Sequence, residues 1–69
     1  MNFDDQRRLV AANMQKHGGS FVNSLGHALA CADMLNAGLI KQTWPQYWDK
    51  YMKFGEMVAA AGAAEKATP

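Results

Sequence analysis

Apolar positions recur at spacings of three and four along most of the chain. There is no sustained alternation and β-branched residues are few, so the pattern predicts helices and no strands. A first helix is expected over about Phe3 to His17, with Phe3, Val10, Met14 and His17 on one face. Asp4 and Arg8 make an i,i+4 pair outside that face. Asn2 is placed to cap the start, and Asp4 and Asp5 lie where the helix dipole favours negative charge. Gly18-Gly19 ends the helix, on the expectation of a left-handed glycine just past the last turn. Ser20 then serves as N-cap of a second helix running from Phe21 to about Asn36. Its apolar set of Phe21, Val22, Leu25, Ala28, Leu29, Ala32 and Leu35 is wide enough to be covered on more than one side. Gly26 and Ala30 leave a shallow groove where another helix can come close.

The Asn36-Ala37-Gly38 segment interrupts this pattern. Either Asn36 caps a short helical turn through Leu39, Ile40 and Thr43, or the segment is an ordered loop. The position before a proline disfavours the helical conformation, so a boundary is expected at Trp44. Pro45 suits the first turn of a last helix capped by Trp44, or one residue earlier by Thr43 with Gln46. That helix carries Tyr47, Trp48, Tyr51, Met52, Phe54 and Val58, with an Asp49–Lys53 pair on its wet side. The expectation is an all-α fold: three helices in one domain over residues 1–62, with a short connecting turn before the last helix. Residues 63–69 have little to bury and are expected to form a flexible Ala-rich tail.

Composition narrows the function classes. Sixty-nine residues, 49% of them apolar and 19% charged, describe one globular domain. A net charge of +1 excludes a strongly basic nucleic-acid binder, and no DNA partner is expected. The single cysteine, Cys31, excludes an intrachain disulfide framework and suits a reducing compartment. The acidic start, Met1-Asn2-Phe3-Asp4-Asp5, is unlike an export signal, and no apolar run is long enough to span a bilayer, so the cytoplasm is expected. A single core of this size rarely yields more than about 3–5 kcal/mol. Five Met, two Trp, two Tyr and three Phe are hard to hide in one such core, which predicts a homo-oligomer joined through apolar helix faces.

The string His17-Gly18-Gly19-Ser20-Phe21-Val22, then Ala32-Asp33, Asn36, and Trp44-Pro45 leading to Trp48 and Tyr51, resembles a group of small uncharacterised proteins of tailed phages and prophages. Those read approximately His-Gly-Ser-Phe-Val, Ala-Asp-Pro-x-x-Asn and Phe-Pro-x-Tyr/Trp-Trp-x-x-Tyr. The likeness covers about Lys16 to Gly55. It departs at the extra glycine of Gly18-Gly19, at Met34 where proline is usual, and at Trp44 where phenylalanine is usual. The missing proline leaves open whether the second helix ends before or after Met34. The resemblance carries no activity; it implies a viral accessory protein acting in the bacterial cytoplasm against host defence.

Three groups of residues are candidates for chemistry. Lys16-His17-Gly18-Gly19-Ser20 combines helix N-terminal amides with two cationic side chains, which suits a phosphate or nucleotide diphosphate. The same residues also make an ordinary helix–helix turn. Among the aromatics, Trp44, Trp48 and Tyr51 form one stripe, and Tyr47, Tyr51 and Phe54 an adjoining one. One stripe is expected inside, while the other meets a partner chain or stacks on a base. His27 and Cys31 have the spacing of two metal ligands, but two are not a site; Cys31 reads as a small buried hydrophobe and His27 as a polar helix residue. Arg7 and Arg8 read as solvated helix positions.

No nucleophile, base and charge stabiliser assemble, so no enzyme, catalytic residue, metal or cofactor is expected. The expected function is an oligomer that sequesters a small phosphorylated or nucleotide-like molecule. Lys16, His17, Gly19 and Ser20 would hold the phosphate, with Tyr47 or Tyr51 against the base. The alternative is an inhibitor that docks Tyr47, Met52, Phe54 and Met57 on a host defence protein.

Overall fold

A computed structural model describes residues 1–54. Among them are four helices and no strand: α1 (Phe3–His17), α2 (Ser20–Cys31), α3 (Met34–Thr43) and α4 (45–54). The all-α expectation holds, while the three-helix count is corrected to four. The expected domain limit at residue 62 and the tail over 63–69 lie outside the described residues.

α1 spans the expected residues. The Asp5 amide donates to Asn2 Oδ1 at 2.8 Å, which closes the cap, and Arg8 Nε reaches Asp4 Oδ2 at 3.2 Å. The turn into α2 differs from expectation. Gly18 is extended, at φ −82° and ψ 160°, and among the described residues no glycine has positive φ. Glycine is needed there for space. A Cβ at Gly18 would stand 2.5 Å from both Met14 O and Val22 Cγ1. Gly19, not Ser20, is the N-cap of α2, and no side chain caps that end.

α1 and α2 form an antiparallel hairpin. Gly18 meets Val22, Met14 meets Gly26, and Arg7 reaches the carbonyls of Leu29 and Ala30. Buried Gly26 is the point of closest approach, because a Cβ there would lie 2.6 Å from Met14 Cβ and 3.0 Å from Ala11 O. The groove expected at Gly26 is therefore filled from within the chain.

The second helix stops at Cys31, five residues short of the expected end. The reason is Asp33, whose carboxylate accepts from the Asn36 amide at 2.8 Å and starts a new helix at Met34. The expected connecting turn is thus a ten-residue helix, and Asn36, Ala37 and Gly38 lie inside it. Trp44 breaks the chain as expected. Its carbonyl accepts from the amides of Tyr47 at 3.1 Å and Trp48 at 3.2 Å, which opens α4. The Thr43 hydroxyl bonds back to Leu39 O at 2.7 Å, so the Thr43–Gln46 box does not form.

α4 crosses α1. Phe3 stacks on Trp48 with ring centroids 5.3 Å apart and planes 8° apart, and His17 lies against Phe54 at 4.1 Å. The buried core comprises Val10, Ala11, Met14, Leu25, Leu29, Ala37, Trp48 and Tyr51. Its large, fully enclosed side chains are Met14, Leu29 and Val10. Buried Asn13 donates from Nδ2 to Tyr51 O at 3.2 Å, tying α1 to α4. No described helix is long and apolar enough to cross a membrane.

Candidate functional site

The corner where α1 ends and α2 begins holds four of the six residues expected to bind a ligand. Lys16, His17, Gly19 and Ser20 are all exposed there. The first turn of α2 contains no acidic residue, and among the described residues no side chain caps its amides. Amides at such an end carry partial positive charge and favour an anion. The carbonyl end of α1 is satisfied differently. Gly18 N–H donates to Met14 O at 2.9 Å, and Asn23 Nδ2 donates to Gln15 O at 2.6 Å. The Asn23–Gln15 bond ties the start of α2 to the end of α1, so the four residues sit on a braced corner.

The two tyrosines part company. Tyr51 is 5% exposed and belongs to the core, which removes it from any ligand wall. Tyr47 is half-buried, its ring 6.3 Å from Phe21 at the start of α2. Phe21 is 57% exposed and also meets Trp44 edge-on at 6.0 Å. Tyr47 therefore stands near the corner through Phe21, a residue that sequence spacing assigned only to the apolar stripe of α2. His17 is brought onto Phe54 and presents one face to solvent. The expected division of the aromatics into an inner and an outer stripe is replaced by a gradient. Trp48 and Tyr51 are buried, whereas Trp44, Tyr47 and Phe54 pack half-buried against them.

Arg7 corrects a further expectation. Its side chain is only 12% exposed and binds in two directions. Nη1 donates to Leu29 O at 3.2 Å and Ala30 O at 2.9 Å, capping the C-terminal end of α2, while Nε and Nη2 donate to Asp4 Oδ1. The Arg7 hydrogen bonds are the chief cause holding the Asp4 carboxyl below its ordinary range; the charges of Arg7 and Arg8 add to this and desolvation opposes it.

Cys31 is exposed, not buried, and His27 is exposed on the same helix. Among the described residues no group of three His, Cys, Asp or Glu side chains could hold a metal ion.

Three surface grooves lie elsewhere on the described residues. One of about 400 Å³ lies between α2 and α3, walled by Ala28, Cys31, Ala32, Leu39, Ile40 and Trp44 among others. One of about 240 Å³ beside Arg7, Arg8 and Ala30 follows the α1–α2 seam. A third, of about 390 Å³, has mixed charge, with Lys41, Asp49 and Lys53 on its walls. Lys41 Nζ sits 5.3 Å from the Trp48 ring and 5.7 Å from the Phe3 ring, a cation held over two aromatic faces. Trp48 Nε1 is buried with no hydrogen-bond partner among the described residues. None of the three grooves includes Lys16, His17, Gly19 or Ser20.

No protein-family model, curated protein or solved structure matches the chain.

Proposed function

We propose that the chain is a non-enzymatic, phage-type accessory protein that works in the bacterial cytoplasm as an assembly of copies and sequesters a small phosphorylated or nucleotide-like molecule. The observation that carries the reading is the N-terminal end of α2. Among the described residues it has no capping side chain and no acidic residue in its first turn, and it lies beside exposed Lys16 and His17. An anion at that end gains from the dipole, the free amides and the lysine together. Tyr47 and Phe21 offer aromatic surface next to it. In one copy the corner is open to solvent, so enclosure of a ligand calls on a neighbouring chain, which is why sequestration and assembly go together here. Stoichiometric capture then counters a host signal with no chemistry on it.

The resemblance to phage proteins fits the course of the backbone. Met34, where those proteins carry proline, is the first residue of α3 after the Asp33 cap, a position that proline favours. The inhibitor alternative named Tyr47, Met52 and Phe54, which are half-buried against the core, and Met57, which lies outside the described residues.

Thermal denaturation against a panel of cyclic and linear nucleotides tests the proposal. A ligand at one hundred times its Kd stabilises by about 2.7 kcal/mol, a shift of roughly 10–20 °C in so small a domain. The double change Lys16→Ala, Ser20→Ala is expected to abolish that shift and keep the helical circular dichroism, since Ser20 does not cap α2. A flat response across the panel, or an undiminished shift in the double variant, overturns the corner as the site.

A further inference from the structure

α3 hides little of its apolar surface. Ala37 is its one fully buried residue, while Met34, Leu35 and Leu39 are 58%, 74% and 50% exposed. On the α2 side this face continues into the groove walled by Cys31, Leu39 and Trp44, and Trp44 carries it on to exposed Phe21. The four large exposed side chains alone leave on the order of 500 Å² of surface in water, which is near the upper end for a monomer's largest apolar patch. The groove walls add little more, so two such faces together bury on the order of 1,000 Å², the lower limit for a specific interface.

Gly38 adds an independent observation. It lies inside α3, where glycine costs about 1 kcal/mol relative to alanine. Gly26 earns its place because α1 fills the space where its Cβ would be. Around Gly38 nothing among the described residues comes within 4 Å of a Cβ, so no packing among them calls for a glycine. Half-buried, it stands one turn on from Met34 and Leu35 and next to Leu39, with open space where its Cβ would be.

We propose that this face binds the same face of a second copy across a two-fold axis, with α3 crossing α3 at Gly38 and Leu39. Charge favours a copy over a charged partner, which would find no counter-charge here. None of the eight residues lining the groove is charged, so the face can meet itself with no like-charge cost. The small core supplies the drive, since among the described residues it comprises only eight buried apolar side chains. The proposal deepens the assembly half of the function above. It places Phe21 at the rim of the contact and so brings a partner chain toward the Ser20 corner.

Cys31 on the groove wall is a built-in reporter. The intact chain is examined by sedimentation equilibrium and by the rate of Cys31 alkylation across protein concentrations. The expected result is a concentration-dependent dimer in which alkylation slows roughly tenfold, as when nine copies in ten are paired. Leu39→Glu is expected to restore the monomer and the fast rate, whereas Lys50→Glu on exposed α4 surface changes neither. Gly38→Ala separates folding from assembly: it should raise helicity and thermal stability under monomeric conditions, yet weaken the dimer at least fivefold. A higher-order mass that survives Leu39→Glu with Cys31 fully reactive overturns this face and leaves assembly standing. A single chain at every concentration overturns both, and its alkylation rate then names the occupant. Fast alkylation leaves the face to a partner of another sequence. Slow alkylation that is released by truncation after Phe54 gives the face to residues 55–69 of the same chain.

Discussion

At the scale of single residues, Arg7 is the side chain on which most depends. It joins the first turn of α1 to the last carbonyls of α2 and anchors Asp4 at the same time. Because Asp4 is held below its ordinary range, its contribution to stability is fully present above the unfolded value of about 3.9. That contribution is lost as pH falls through the lower folded value. Acid titration of the melting temperature is expected to show this loss below about pH 4, and Asp4→Asn to flatten that part of the curve. Arg7→Ala removes the same acid dependence. It also strands the Leu29 and Ala30 carbonyls, lowering stability by about 1–3 kcal/mol at neutral pH. An Arg7→Ala variant as stable as the parent at pH 7 would show the cap to be idle. Nothing in the sequence marks Arg7 off from Arg8. The two are adjacent cations on one helix, and only the path of α2 decides which of them turns inward.

At the scale of elements, local signals decided what local signals can decide. Asn2, the Gly18-Gly19 pair and the Trp44-Pro45 step each mark an end that the backbone respects, because caps and pre-proline sterics act within a few residues. The second half of the apolar stripe misled. Leu35 continues the spacing of Leu25, Leu29 and Ala32, yet it sits on a separate helix beyond the Asp33 cap and is 74% exposed. Periodicity runs on unchanged across a break when the break falls near a multiple of the helical turn, and a single Asp ahead of an apolar run is the only trace. Asp33→Ala is therefore expected to cost about 1 kcal/mol and to lower the helical signal in far-ultraviolet circular dichroism. An unaltered spectrum and melting temperature would mean that tertiary contacts, not the cap, start α3. The candidate corner was half legible for a related reason. Lys16, His17, Gly19 and Ser20 are contiguous and stay together in any fold with a turn there. Tyr51 and Phe21 exchanged roles because burial depends on how α4 crosses α1, which spacing along either helix does not contain.

At the scale of the whole molecule, a thin core and a broad apolar face belong to the same problem. Among the described residues the core is eight apolar side chains, while Phe21, Met34, Leu35 and Leu39 are left in water. Small domains without disulfides or metals commonly answer that deficit by sharing a core. An assembly also supplies what one copy lacks at the Ser20 corner, a second wall. Native mass spectrometry of the purified chain, with and without the nucleotide that gives the largest thermal shift, reads both properties in one measurement. The account predicts masses at multiples of the 7.6 kDa chain, with the nucleotide retained on the multimers and absent from the Lys16→Ala, Ser20→Ala variant. A lone 7.6 kDa species that carries no ligand, at concentrations where circular dichroism reports a folded helical chain, would contradict it.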